Sequence, residues 1–193
     1  MKKLIIIFTL TLLANSAFGQ NKLVKDIDYD GKNDSIFIEV NKSTIVCILS
    51  TLNYESVSSK PIEILNEQSG IIKTKNGFAF FNDWMRAGYK NYFRYNSKTK
   101  KIQLIGMSRY EFGNAVHDGS GESSVNLLTG DYIGNWNYND IEKDNLIIIP
   151  TIKTKMKFKT INLEYFNDEI YFNYAERCAK LFLKYKEINM IKK

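Results

Sequence analysis

The segment that most constrains this chain is residues 26–34, with the sequence DIDYDGKND. Its four carboxylates occupy positions 1, 3, 5 and 9 around Gly31, which provides a sharp turn. Carboxylates this close together repel one another unless a cation lies between them. A Ca²⁺ ion takes oxygen ligands from such a turn. We therefore predict a calcium site whose ligands are Asp26, Asp28, Asp30, Asp34 and the backbone carbonyl of Lys32.

The residues around this loop predict strands rather than the helices of an EF-hand. Position 12 counted from Asp26 is Phe37, where an EF-hand has a bidentate glutamate. Residues 35–40 are rich in β-branched and aromatic side chains, which favour a strand. The loop is therefore expected to connect two β-strands.

The amino terminus has the pattern of a secretory signal peptide over residues 1–19. Lys2 and Lys3 precede an apolar run over residues 4–13, and small residues stand before a cleavage point at Gln20. We expect the mature chain to be periplasmic or secreted. No later segment approaches the roughly 18 apolar residues of a membrane span, so none is expected after signal cleavage.

Length and composition predict that the mature chain, residues 20–193, forms a single β-rich domain. The full chain has 193 residues and a net charge of +6, but its lysines are dispersed, which argues against a nucleic-acid partner. Cys47 and Cys178 are its two cysteines. Export would allow them to form a disulfide, whereas a buried free thiol at Cys47 is equally compatible with its apolar strand. The sequence leaves this choice open.

Turn residues divide the middle of the chain into β-hairpins. Asn76 and Gly77 predict a two-residue type I′ turn between strands. Residues 96–100 predict a second hairpin turn, and Thr129 with Gly130 predicts a third. Strand patterns also cover residues 145–149 and 151–165. The spacing therefore indicates roughly eight to ten strands.

The carboxyl terminus has a different period. Apolar residues recur every three or four positions from Ile170 to Ile188, which predicts an amphipathic helix over about residues 168–189. Its apolar stripe is expected to cover one face of a sheet. We predict a mostly β fold of antiparallel hairpins, propeller-like or a barrel or sandwich, with this one helix at its end.

Residues 114–124 form the strongest candidate for catalysis. This glycine-rich segment contains the only histidine, His117, together with serines and acids. Residues so close in sequence rarely converge as a catalytic triad, and no nucleophile elbow accompanies them. We therefore expect a mobile or ligand-contacting loop. A second acidic segment, Asp140, Glu142 and Asp144, lacks the turn glycine and is expected to be a solvated turn.

Aromatic and arginine side chains near turns and strand ends either belong to the core and its rim or form a binding surface. Trp, Tyr and Arg are the residue types that concentrate binding energy at protein interfaces. The candidate binding residues are Trp84, Arg86, Tyr92, Arg94, Trp136 and Tyr138.

The nine-residue acidic loop resembles the D-x-D-x-D-G-x-x-D calcium loops of FG-GAP and integrin-type β-propeller blades. With the signal peptide and the strand and turn over residues 92–102, the chain resembles small periplasmic proteins that carry one such loop on a propeller-like fold. Some of these act as lysozyme inhibitors or as immunity proteins against peptidoglycan-cleaving effectors. The resemblance implies an exported, calcium-stabilised binding protein whose partner is another envelope protein, such as a lytic enzyme. The alternatives are a hydrolase centred on residues 114–124 and a glycan-binding module.

Overall fold

The structure is a computed structural model that describes residues 22–142 and 144–191. Its first sheet is antiparallel and has four strands in sequential order. These strands are β1 (Lys22–Lys25), β2 (Asp34–Glu39), β3 (Thr44–Ile48) and β4 (Ser56–Ser58). Two short 3-10 helices, Val40–Lys42 and Ser50–Leu52, follow β2 and β3.

The second sheet is larger and is also built from antiparallel neighbours. Its strands are β5 (Ser69–Thr74), β6 (Gly77–Asp83), β7 (Ala87–Asn96), β8 (Lys101–Glu111), β9 (Gly121–Asn126), β10 (Asp131–Asp140), β11 (Asn145–Ile148) and β12 (Ile152–Lys155). β10 pairs with β12 through its first half and with β11 through its second half. The mostly β prediction is confirmed, while among the described strands neither order closes on itself. The propeller-like, barrel and sandwich alternatives stay predictions.

The predicted helix is present as α1 (Asp168–Ile191) and packs against the second sheet. Tyr174 and Cys178 of the predicted stripe are buried, and Tyr171 joins them. The ring of Tyr171 stacks on Tyr89 of β7, with 3.7 Å between ring centroids. Helix, second sheet and first sheet share one hydrophobic core.

Strand alternation explains which face of the second sheet the helix covers. In β10, Tyr132, Trp136 and Tyr138 are buried, whereas Ile133 and Asn135 between them are exposed. Successive side chains of a strand point to opposite faces, so one face meets α1 and the other is open. We call the face opposite α1 the open face.

The first predicted hairpin exists, but its turn is shifted by one residue. Thr74 pairs with Gly77, so the loop residues are Lys75 and Asn76, and neither has a positive φ. The type I′ prediction at Asn76 and Gly77 is therefore wrong. Gly77 belongs to β6, where a Cβ would lie 2.1 Å from the carbonyl oxygen of Phe93. The glycine is required by the close approach of β7.

The other two hairpins are confirmed, and the last predicted strand is shortened. Asn96 pairs with Lys101, and Asn126 pairs with Asp131, each across a four-residue turn. The pattern over residues 151–165 forms a strand only in β12. Beyond Lys155 the chain leaves β10 and crosses to β8, where the Leu104 N–H donates to the Ile161 carbonyl at 2.9 Å.

Both cysteines are free thiols and are buried. Cys47 lies in β3 and Cys178 in α1, so the free-thiol alternative is the one observed. The predicted signal peptide, residues 1–19, lies outside the described residues. No described helix is long and apolar enough to span a membrane.

Candidate metal centre and binding surfaces

The acidic loop connects β1 and β2, as the sequence predicts. Lys25 pairs with Asp34 at the base of this hairpin, and the loop residues 26–33 lie between them. Tyr29 and Gly31 have positive φ angles of 65° and 86°. These two residues turn the backbone sharply enough to bring acids from both ends of the loop together.

Three of the four acids converge. One carboxylate oxygen from each of Asp26, Asp28 and Asp34 lies within 4.8 Å of the other two. Asp34 is fully buried, Asp28 is 8 % exposed and Asp26 is half-buried. The centre of the group therefore lies at the edge of the core rather than in solvent.

Backbone and hydroxyl groups hold each carboxylate in place. Asp34 accepts hydrogen bonds from the Ile27 N–H at 2.8 Å and the Ser50 N–H at 2.9 Å. Asp28 accepts a hydrogen bond from the Thr51 hydroxyl at 2.6 Å. Hydrogen bonds to an ionised group are stronger than neutral ones, so they fix the orientation of these oxygens.

Asp26 is held by the loop itself. Its carboxylate accepts hydrogen bonds from the Tyr29 N–H at 2.6 Å and the Gly31 N–H at 3.0 Å. These contacts fold the loop back over its first residue. The positive φ angles at Tyr29 and Gly31 are therefore coupled directly to the position of one candidate ligand.

Ser50 and Thr51 were not among the residues predicted for the site. They belong to the 3-10 helix Ser50–Leu52 that follows β3, and they reach the acids because β2 and β3 are paired. Neither residue belongs to a recognisable sequence motif. Their part in the site depends on the register of the sheet.

Asp30 and Lys32 are not members of the converging group, although the Asp30 N–H donates to the Asp28 carboxylate at 3.3 Å. Asp30 is exposed and accepts a hydrogen bond from the Lys32 N–H at 2.8 Å. This backbone hydrogen bond lowers the pKa of Asp30 below its usual value. Metal binding by the Asp30 carboxylate and the Lys32 carbonyl stays a prediction.

Within the described chain the converging carboxylates form no salt bridge, although the Lys25 ammonium lies close enough to Asp26 to interact with its charge. Ion pairs there involve other residues, and none joins a Lys, Arg or His nitrogen to Asp26, Asp28 or Asp34. Buried charges of one sign are costly unless an opposite charge offsets them. A divalent cation that prefers oxygen ligands fits this group.

The second acidic segment, Asp140, Glu142 and Asp144, lies at the turn between β10 and β11. Glu142 and Asp144 are exposed, and the described part of the turn does not gather three acids into a group that could hold a metal. The prediction of a solvated turn is consistent with this geometry.

The structure does not assemble a triad from residues 114–124. His117 is exposed, and its Nδ1 lies 3.3 Å from the backbone carbonyl of Phe112. The Ser123 hydroxyl is buried against the Tyr174 hydroxyl at 2.8 Å. Asp118 pairs with Lys186 at 2.8 Å. The acid, the serine and the histidine thus face three different neighbours.

The expected surface of aromatic and arginine side chains is divided between different environments. Trp136 and Tyr138 are 2 % and 1 % exposed, so the expectation that they lie on the surface is wrong. Both are on the face of β10 that meets α1. Trp84 is half-buried, with its ring edge on Tyr89 at 5.4 Å.

The remaining candidates are accessible but are not clustered together. Arg86 is exposed and donates hydrogen bonds to the carbonyls of Gly113 at 3.0 Å and Asn114 at 3.1 Å, which fixes that loop. Tyr92 and Arg94 are half-buried residues of β7 on the open face. Any role in binding for these residues stays a prediction.

Comparisons with protein-family models, with curated proteins and with solved structures found no match. The resemblance to FG-GAP calcium loops therefore depends on the residues of the acidic loop.

Proposed function

We propose that this chain is an exported binding protein, stabilised by calcium, whose partner is another protein of the cell envelope. A cell-wall lytic enzyme is the partner class that the sequence resemblance implies, and the chain would act on it as an inhibitor or immunity protein. The observation that carries the proposal is the group of Asp26, Asp28 and Asp34, which lies beside the core and forms no salt bridge with any described residue. Export rests on the pattern of residues 1–19.

Calcium in this proposal has a structural role. Its ligands come from the connection between β1 and β2, and Ser50 and Thr51 tie the same carboxylates to the end of β3. A cation there would offset the repulsion between the acids and join three strands of the first sheet. The proposed role is thus to stabilise the fold that presents a binding surface.

Exposed apolar side chains beside the carboxyl end of α1 support a protein partner. Ile141 lies in the turn between β10 and β11 and Met190 lies near the end of α1, and we call these two residues the end patch. They are 88 % and 57 % exposed. Ile141 and Met190 line one cavity of about 580 Å³ together with Lys186. Clustered exposed apolar residues are typical of interaction sites.

The test is inhibition of purified peptidoglycan-cleaving enzymes, measured as slower clearing of a cell-wall suspension. Glycosidases, amidases and endopeptidases are assayed separately with the mature protein in calcium and in EGTA. We expect stoichiometric inhibition of at least one enzyme. The variant Ile141→Lys should weaken inhibition by about tenfold or more, since it places a charge in the interface.

The matched control is Val24→Lys, which changes another exposed apolar residue, in β1 of the first sheet. It should inhibit as the unmodified protein does. Full activity of every enzyme in the presence of excess folded protein would contradict the proposed function.

A further inference from the structure

The open face of the second sheet contains a cavity of about 320 Å³. Side chains of four neighbouring strands line it, among them Lys90, Tyr92, Ser108, Tyr110, Glu122 and Ser124. The register places Lys90, Ser108 and Ser124 side by side across β7, β8 and β9. Small serine side chains therefore form the floor of the cavity, and the larger side chains form its rim.

Two tyrosine rings lie across glycines of the neighbouring strands. A Cβ at Gly88 would lie 2.6 Å from Cε1 of Tyr110, so that ring rests directly on the β7 backbone. A Cβ at Gly106 would lie 3.7 Å from Cδ2 of Tyr92. Both tyrosines are half-buried, so part of each side chain remains accessible to a ligand.

Hydrogen bonds fix both rings. The Tyr92 hydroxyl lies 3.2 Å from the Ser108 hydroxyl, and the Tyr110 hydroxyl donates to Asp83 at 3.2 Å. Burial and the charge of Asp83 raise the pKa of Tyr110, which keeps its hydroxyl protonated as a donor. The rings are thus held in place before any ligand arrives, which lowers the entropic cost of binding.

Both rings line the cavity. Tyr92 pairs with Gly106, and Tyr110 follows four residues later in β8, so the backbones of the two tyrosines are about 13 Å apart along the strands. The Tyr92 hydroxyl reaches Ser108, midway between them, so the space between the rings suits a short ligand. The volume is at the lower end of the range for small-ligand sites, roughly 300–1,000 Å³, so a short ligand fits better than a large one.

The polar groups around the rings offer both donors and acceptors. Lys90 and Arg109 contribute positive charges and Glu122 a carboxylate, while Asn135 and the serines contribute neutral groups. The Arg109 charge is paired with Glu111, which leaves Lys90 and Glu122 as opposite charges at the rim. A strongly anionic or cationic ligand would meet a like charge at one side. A sugar ring has an apolar face of C–H groups that packs on an aromatic ring, and hydroxyls that both donate and accept hydrogen bonds.

We propose that the open-face cavity binds a short neutral oligosaccharide, with Tyr92 and Tyr110 packing against sugar rings. Lys90, Glu122 and Asn135 hydrogen-bond the sugar hydroxyls. This inference goes beyond the proposed function, because it adds a glycan ligand at a site distinct from both the acidic loop and the end patch.

The experiment titrates the mature protein with chito-, cello- and malto-oligosaccharides of two to four units, followed by calorimetry and by amide NMR shifts. A second arm measures co-sedimentation with insoluble peptidoglycan and with cellulose, which distinguishes a free sugar from a polymer. We expect at least one soluble oligosaccharide to bind and to shift the amide signals of β7 and β8.

Two variants test the site from different sides. Tyr92→Ala removes one ring and should weaken binding by about tenfold. Ser124→Ile fills the floor of the cavity with a β-branched side chain that suits a strand, and it should abolish binding without removing any hydrogen bond of the Ser124 side chain seen in the described chain. The matched control, Tyr54→Ala, removes a tyrosine that is 56 % exposed and outside the open face, and it should bind normally.

Absence of binding by every sugar at 10 mM in both arms would overturn the proposal. So would binding that folded Tyr92→Ala and Ser124→Ile proteins both retain in full. Inhibition of lytic enzymes by the Ser124→Ile protein should be unchanged, so failure of the oligosaccharide site and failure of the proposed function give different results.

Discussion

Removing calcium should lower the thermal stability of this protein by a measurable amount. Calcium sites of extracellular modules have dissociation constants of about 0.1 mM at their tighter end. At about 1 mM free calcium, binding to the folded state alone then contributes about 1.4 kcal/mol. For a chain of this size 1 kcal/mol shifts the melting temperature by about 2–4 °C. We therefore expect EGTA to lower the melting temperature by about 3–6 °C.

The variant Asp28→Asn makes this prediction sharper because its effect should depend on calcium. Two carboxylates 4.8 Å apart repel by about 3 kcal/mol at an effective dielectric constant of 20. The substitution also weakens the hydrogen bond from the Thr51 hydroxyl, which lowers the free energy of unfolding by about 1.5–3 kcal/mol. The lost repulsion from Asp26 and Asp34 offsets this change. In EGTA the variant should melt no lower than the unmodified protein. In calcium it should melt lower.

The assay is thermal unfolding followed by circular dichroism, each protein being measured in 1 mM calcium and in EGTA. Glu142→Gln is the matched control, since it neutralises an exposed acid in the other acidic turn and should keep the full calcium response. An unmodified protein whose melting temperature is the same in calcium and in EGTA would refute the metal assignment. A calcium response lost in Glu142→Gln and kept in Asp28→Asn would show that the metal binds elsewhere.

Three further results are expected. Thr51→Val should weaken calcium binding by about tenfold in calorimetry, because the 2.6 Å hydrogen bond that orients Asp28 is lost; unchanged affinity would contradict this role. Burial raises the pKa of both cysteine thiols, and at Cys47 the charge of Asp34 contributes as well. A thiol reagent should therefore label the two cysteines only after denaturation. Burial also raises the pKa of Tyr89, Tyr132, Tyr171 and Tyr174, so the folded state keeps protons that the unfolded chain loses above about pH 10. The free energy of unfolding should therefore be constant below that pH and fall above it. Tyrosinate absorbance should then rise over the same pH range in which the circular dichroism signal is lost. Gradual titration of these tyrosines in a protein that stays folded would contradict this expectation.

Local signals in the sequence were sufficient for much of the fold. Turn residues located the hairpins at residues 96–100 and at Gly130, and apolar periodicity located α1 to within two residues of each end. The acidic loop between two strands was likewise visible in consecutive residues. Each of these features depends on contacts between residues that are close in the chain.

Features that depend on distant contacts could not be predicted. Trp136 and Tyr138 are buried because their face of β10 meets α1. Alternation along the strand shows that there are two faces, but it does not show which of them the helix covers. Gly77 looked like a turn residue, yet its role is set by the Phe93 carbonyl of the adjacent strand. Ser50 became part of the acidic site only through the pairing of β2 with β3.

The two proposed ligand sites lie in different sheets. The acids of residues 26–34 are held by Ser50 and Thr51, so a bound cation would tie together the ends of β1, β2 and β3 in the first sheet. The hairpin that carries the loop contacts the second sheet through Lys25, whose ammonium donates to the Thr74 carbonyl at 2.9 Å, at the β5 edge. Tyr92 and Tyr110 are instead fixed by Ser108 and by Asp83, within β6 to β8. Calcium should therefore change how much of the protein is folded without changing the affinity of the open face in the molecules that remain folded.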